Sequence, residues 1–120
     1  MGVVFTQREG YLEAALQETT SFPDLMKQLS DVLDKCTQSQ PARLLVDMSA
    51  IKGTWSVVDR FEIGTLGARL APHVGRIAAL ADAAMIDPTK FGVQVARNRG
   101  LIVDVFSDRV KALAWLLDPA

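Results

Sequence analysis

Two aspartates stand where an α/β fold commonly does its chemistry. Asp47 ends the run RLLVD, and Asp82 ends the run RIAALAD. Each run is short, apolar and bounded by polar or turn residues, as expected of a parallel strand buried on both faces. In open α/β sheets, ligands gather outside the carboxyl ends of such strands. If the two strands are neighbours, both carboxylates share one rim with Ser49, and a carboxylate pair there can bind Mg²⁺ or perform acid–base work. The plainer alternative is that each Asp caps its own loop or turn. It takes precedence, because a phosphate-accepting receiver site needs an adjacent acidic pair and a Lys after the last strand. Leu45 and Val46 precede Asp47, and Phe106 ends the last strand, so neither requirement is met.

The other reactive residue types are sparse. Cys36 falls on the apolar stripe of a helix and reads as a small core residue. His73 is the only histidine and follows Pro72 in a loop, so no zinc ligand set is visible. Ser49 and Ser56 lack a G-x-S-x-G elbow, and neither a dinucleotide fingerprint nor a phosphate loop occurs. No catalytic residue and no cofactor is therefore expected. Ser56 has a structural explanation, since Ser56-x-x-Asp59 is a helix-capping pattern.

Positioning these residues requires one domain spanning the 120 residues, with 49% apolar and 22% charged composition. A net charge of -1 gives no reason to expect nucleic acid or an anionic membrane as partner. The lone cysteine forms no intramolecular disulfide and favours a reducing compartment. No apolar run approaches the ~20 residues needed to span a bilayer, and no signal peptide is seen. A cytoplasmic protein is expected. Met1, Gly2 and Thr6 match an N-myristoylation pattern, but Val3, Val4 and Phe5 read as a first strand.

Strand-like runs over 3–6 and 11–17, joined by Gln7-Arg8-Glu9-Gly10, predict a hairpin. In the second run Leu12, Ala14 and Leu16 alternate with a wetter face of Tyr11, Glu13, Ala15 and Gln17, as near a sheet edge. Ser21 caps a helix with Pro23 in its first turn. Strands over 43–47, 76–82 and 101–106 alternate with helices beginning near Ser56, Asp87-Pro88 and Ser107 or Asp108. Arg97 and Arg99 lie before Gly100, at a helix end that favours cations. Asp104 interrupts the final strand, as charges that guard an edge do. Val110, Leu113, Ala114 and Leu117 are the expected buried stripe of the last helix. The order ββαβαβαβα implies mostly parallel strands with right-handed crossovers. Leu44, Val46, Ile77, Ala79 and Val103 are the expected core.

The hairpin, the strand ending in Asp47-Met48-Ser49, the helix begun near Ser56 and the RIAALAD strand together resemble the STAS, or anti-sigma-factor-antagonist, domains. The phrase VFSDRVKALAWL is similar to the SpoIIAA-like branch, which shares features with CRAL-TRIO lipid-binding domains. The resemblance implies a mixed, mostly parallel five-stranded sheet flanked by about four helices, and a binding rather than catalytic role. Antagonist members carry Asp-Ser-Ser-Gly at the start of the second helix. Here Trp55-Ser56-Val57-Val58 stands there, so Ser56 is the candidate phosphosite and Val57 occupies the usual acceptor position.

The second helix is apolar on two sides. Val57, Phe61, Gly64, Ala68 and Ala71 form one arc, expected to face the sheet. Ile63, Leu66 and Leu70 form another, nearly opposite. A sheet-packed helix needs a single apolar stripe. The second arc either buries within the monomer under a loop or marks a functional surface, as the wall of a cavity for a small apolar ligand or an interface with a protein partner or a second copy of the chain, with Trp55 as an aromatic anchor at one end. The alternatives are a phosphorylation-switched antagonist acting through Ser56 and a carboxylate-dependent enzyme using Asp47 and Asp82.

Overall fold

A computed structural model of the chain describes residues 2–119. The lipidation pattern begins at Met1, outside the described residues. The elements are β1 (Val4–Arg8), β2 (Tyr11–Ala15), α1 (Phe22–Ser39), β3 (Arg43–Asp47), α2 (Val57–Ala68), β4 (Arg76–Leu80), α3 (Phe91–Asn98), β5 (Val103–Phe106) and α4 (Arg109–Leu116). They form one five-stranded sheet in the order β1-β2-β3-β4-β5. β1 and β2 are antiparallel, and every other pair is parallel. The α/β class, the mixed sheet and the element order are those predicted.

Consecutive parallel neighbours joined by right-handed crossovers put all their connecting helices on one face. α1 packs on α2 and α2 on α3, while α4 lies against β3, β4 and β5. The sheet therefore has two cores, separated by its pleat. Leu44, Val46, Ile77 and Val103 point to the α1–α3 side. Leu45, Ala78 and Leu80 meet Ala112 and Leu116 of α4 on the other. Ala79 is only half-buried, because its side of the sheet opens on the cavity described below.

Local chemistry fixes the helix starts. The Ser21 side chain accepts from the Asp24 amide at 3.3 Å, and Asp108 accepts from Lys111 N at 3.2 Å. Asp87 also accepts from a helical amide, Phe91 N at 3.0 Å. However, Pro88 and Thr89 form a turn, so α3 begins three residues later than the Asp-Pro pair suggests. A 3₁₀ turn, Ala83–Met85, fills the gap after β4.

Three burial patterns differ from expectation. β2 does lie near the edge, beside β1, but its second face is not wet: Glu13 is buried, 6% exposed, where Arg109 of α4 and Arg8 of β1 reach it. In α4, Val110 is 74% exposed, whereas Ala112 and Leu116 carry the contact. Positions 112–117 are all apolar, so periodicity there defines no single stripe. α2 packs with neither predicted arc wholly inward, and it ends at Ala68, which leaves Leu70 in the turn that follows. Val57 and Val58 are each 64% exposed and Phe61 42%, while Leu70 is buried and Ile63 and Leu66 pack partly buried against the core. Gly64 and Ala68 do face inward.

β5 is the other edge. Asp104 pairs there with Lys90 at 3.0 Å and Arg97 at 3.4 Å. Its own Oδ1 accepts the Val105 amide at 2.8 Å, and Arg97 Nε donates to Val103 O at 2.8 Å. These bonds occupy edge groups that another strand would need.

Candidate functional site: an underfilled apolar cavity behind the sheet

Residues from α2, α3, β4 and the loop after β3 enclose a mostly apolar cavity of about 190 Å³ between the sheet and the α2–α3 pair. Its origin is legible in residue sizes. Gly64 and Gly67 of α2, Ala79 and Ala81 at the end of β4, and Gly92 and Ala96 of α3 all line it. Protein interiors pack like organic crystals, and six small residues on three walls leave space that larger ones would fill. The backbones of α2 and α3 cannot close further. A Cβ at Gly64 would lie 2.5 Å from Gly92 O, so the two helices already touch through that glycine.

Trp55 lines the cavity from the loop leading into α2. Its ring folds back over Gly53, whose φ of +147 and close approach, 2.8 Å from an added Cβ to the ring, favour glycine at that position. Phe22 supports the indole with a tilted contact at 5.9 Å between centroids. Ile63 and Leu70 also line the cavity. Thus Trp55, Ile63 and Leu70 come together, around an internal cavity rather than on an outward ridge. Leu66 does not join them. It borders a shallow groove with Met26, Phe61 and Arg69.

Polar residues at the cavity are Arg60, Asp87 and Lys90. Asp87 accepts from Phe91 N, from Thr89 Oγ1 at 2.8 Å and from Thr89 N at 3.1 Å. These bonds, led by that from Phe91, hold its carboxyl below the usual range, with a last contribution from the charge of Arg60. Lys90 is committed to Asp104. Asp87 is expected from the sequence only as a helix cap, and Arg60 and Lys90 are not singled out there. Arg60 carried one usable signal, since a cation in the first turn of a helix opposes the macrodipole.

The strand-end rim is organised differently. Asp47 accepts from Ser49 N at 3.0 Å and Ser49 Oγ at 2.6 Å, and pairs with Arg109 at 3.2 Å. Arg109 also reaches the buried Glu13 at 3.0 Å, and Arg8 approaches Glu13 at 3.4 Å. The hydrogen bond to Glu13 leads in holding the Arg109 guanidinium still more firmly protonated, against its partial burial. Asp82 accepts the Ala84 amide at 2.9 Å and pairs with Lys52. The bond from Lys52, then that from Ala84, lowers its pKa. Each aspartate therefore secures its own turn and its own cation. Among the described residues no group of three or more His, Cys, Asp or Glu is placed to hold a metal ion. Cys36 is fully buried, and burial pushes its thiol up to about 11, so thiolate is scarce at neutral pH.

Ser56 forms a reciprocal capping box. Its Oγ accepts the Asp59 amide at 3.0 Å, and the Asp59 carboxylate accepts the Ser56 amide at 3.0 Å. Ser56→Ala is expected to lower unfolding free energy by ~1 kcal/mol, and Ser56→Asp to stay close to wild type because Asp also caps. Urea denaturation of both variants measures this. Equal losses in the two would remove the capping explanation.

No protein-family model matches the chain, and no curated protein matches it either. Among the described residues no helix is long and apolar enough to cross a membrane.

Proposed function

We propose that this protein is a non-catalytic binding module that holds a small apolar ligand between its sheet and α2–α3. The observation that carries the proposal is the cavity itself. An unfilled space of 190 Å³ costs the fold stability, at most roughly 4–5 kcal/mol at the rate found for interior cavities. The open mouth reduces that figure. Three walls keep small residues at this cost, which an occupant would offset by restoring contacts. The location also agrees with the rule that α/β folds bind ligands by the carboxyl ends of their strands. The resemblance to STAS and SpoIIAA-like domains, with the binding role it implies, supports the same reading.

Filling the cavity tests the proposal. Ala79 sits in register with Val46 and Val105, and all three line the space. Ala79→Leu is expected to raise unfolding free energy by about 1–2 kcal/mol, since added methylenes gain burial less some rotamer entropy. The same change should abolish uptake of benzene, which wild-type protein should bind, as followed by NMR shift changes and by ligand-induced stabilisation. Wild-type protein that takes up no benzene, together with a destabilised Ala79→Leu, would show a site packed too tightly to hold a ligand.

A further inference from the structure

Arg60 stands out among the arginines of this fold. It is half-buried and lines the cavity from the first turn of α2. The other half-buried arginines have evident work: Arg43 donates to Leu117 O at 3.3 Å, and Arg76 to Trp115 O at 2.8 Å. Among the described residues Arg60 has no side-chain hydrogen bond or ion pair. Its charge acts on Asp87, which also lines the cavity but is already engaged by Thr89 and Phe91. The helix gives no reason for a cation there, because the amino end of α2 carries the positive end of the dipole. A guanidinium without a fixed partner beside an apolar cavity is suited to an anionic group arriving with the ligand.

α3 also begins at this wall, but Asp87 already accepts its Phe91 amide, which leaves Arg60 as the cation for an incoming anion. Size sets a further limit. A cavity of 150 Å³ holds benzene, so 190 Å³ takes about eight non-hydrogen atoms. A long acyl chain does not fit within it.

We infer that the occupant is a small monoanion with an apolar body of about six to eight carbon atoms, its anionic group held by Arg60 and its hydrocarbon between the sheet and α2–α3. This inference rests on the cavity reading above and adds the occupant's charge and length.

Calorimetric titration with octanoate, octan-1-ol and dodecanoate separates the two ideas. Wild-type protein is expected to bind octanoate ~10-fold tighter than octan-1-ol, as a charge-assisted bond contributes. Arg60→Gln should bring the two within about threefold, chiefly by weakening octanoate. Dodecanoate should bind no tighter than octanoate. Octan-1-ol binding as well as octanoate in wild-type protein would overturn the charge assignment while leaving the cavity reading intact. So would an Arg60→Gln variant that keeps the preference. Tighter binding of dodecanoate would overturn the length limit. Binding of neither octanoate nor octan-1-ol would overturn this inference, and the absence of benzene uptake as well would remove the cavity reading with it. The wild-type comparison decides the charge assignment even if Arg60→Gln fails to fold.

Discussion

Gly64→Val is expected to lower unfolding free energy by about 3 kcal/mol, whereas Gly67→Ala, one turn further along the same helix, should raise it by about 0.5–1 kcal/mol. The opposite signs follow from what each new side chain meets. A Cβ at Gly64 lies 2.5 Å from Gly92 O and 2.9 Å from Val95 Cβ. A backbone oxygen cannot rotate aside, so α2 must lift from α3, and a β-branched side chain adds strain in a helix. At Gly67 nothing lies within 4 Å of the new methyl, and only the gain in helix propensity remains. Chemical denaturation of both variants gives the two values. A Gly64→Val protein as stable as wild type would mean that α2 and α3 do not touch through this glycine, and the cavity would lose the contact that fixes its width.

Sequence reasoning located the strands well because their apolar runs are short and bounded. β3 matches residue for residue, and β4 and β5 differ only at their ends. The caps at Ser21, Ser56 and Asp108 were legible because a cap is a local interaction over three residues. Helix orientation was not. α2 is written VVDRFEIGTLGA, with apolar residues on two opposite sides, so periodicity offers two solutions of nearly equal merit. Tertiary contact selects neither in full. Gly64 and Ala68 from one side and Ile63 from the other face inward, because only glycine allows the approach of α3 at position 64.

Glu13 shows a second limit. Its period-two position belongs to a face that is wet in a two-layer fold. Here α4 adds a third layer, and Arg109 with Arg8 compensates the buried carboxylate. No pattern within β2 announces a helix nearly a hundred residues away. The candidate site was legible in part for related reasons. Trp55, Ile63 and Leu70 are large apolar residues that attract attention. The glycines and alanines that create the space beside them are visible only once three separate elements are brought together.

The packing of α2 and of the turn after it gives the largest expected effect. Leu70→Asp is expected to lower unfolding free energy by about 4 kcal/mol or more, while Phe61→Asp should change it by less than about 1 kcal/mol. Leu70 is 7% exposed within the core on the α1–α3 side. Replacing it forfeits about 1.5–3 kcal/mol of burial and leaves a carboxylate to be desolvated or protonated. A domain holding roughly 5–15 kcal/mol in total would unfold far more readily. Phe61 is 42% exposed, and its ring lies 5.5 Å from the Arg99 guanidinium carbon. Its loss removes a cation–π contact of ~0.5–1 kcal/mol, but Asp offers Arg99 an opposite charge in exchange. Urea titration monitored by circular dichroism ranks the pair directly. If Phe61→Asp unfolds the protein and Leu70→Asp does not, α2 packs through its Phe61 side, and Ile63 and Leu70 face a partner instead of the cavity.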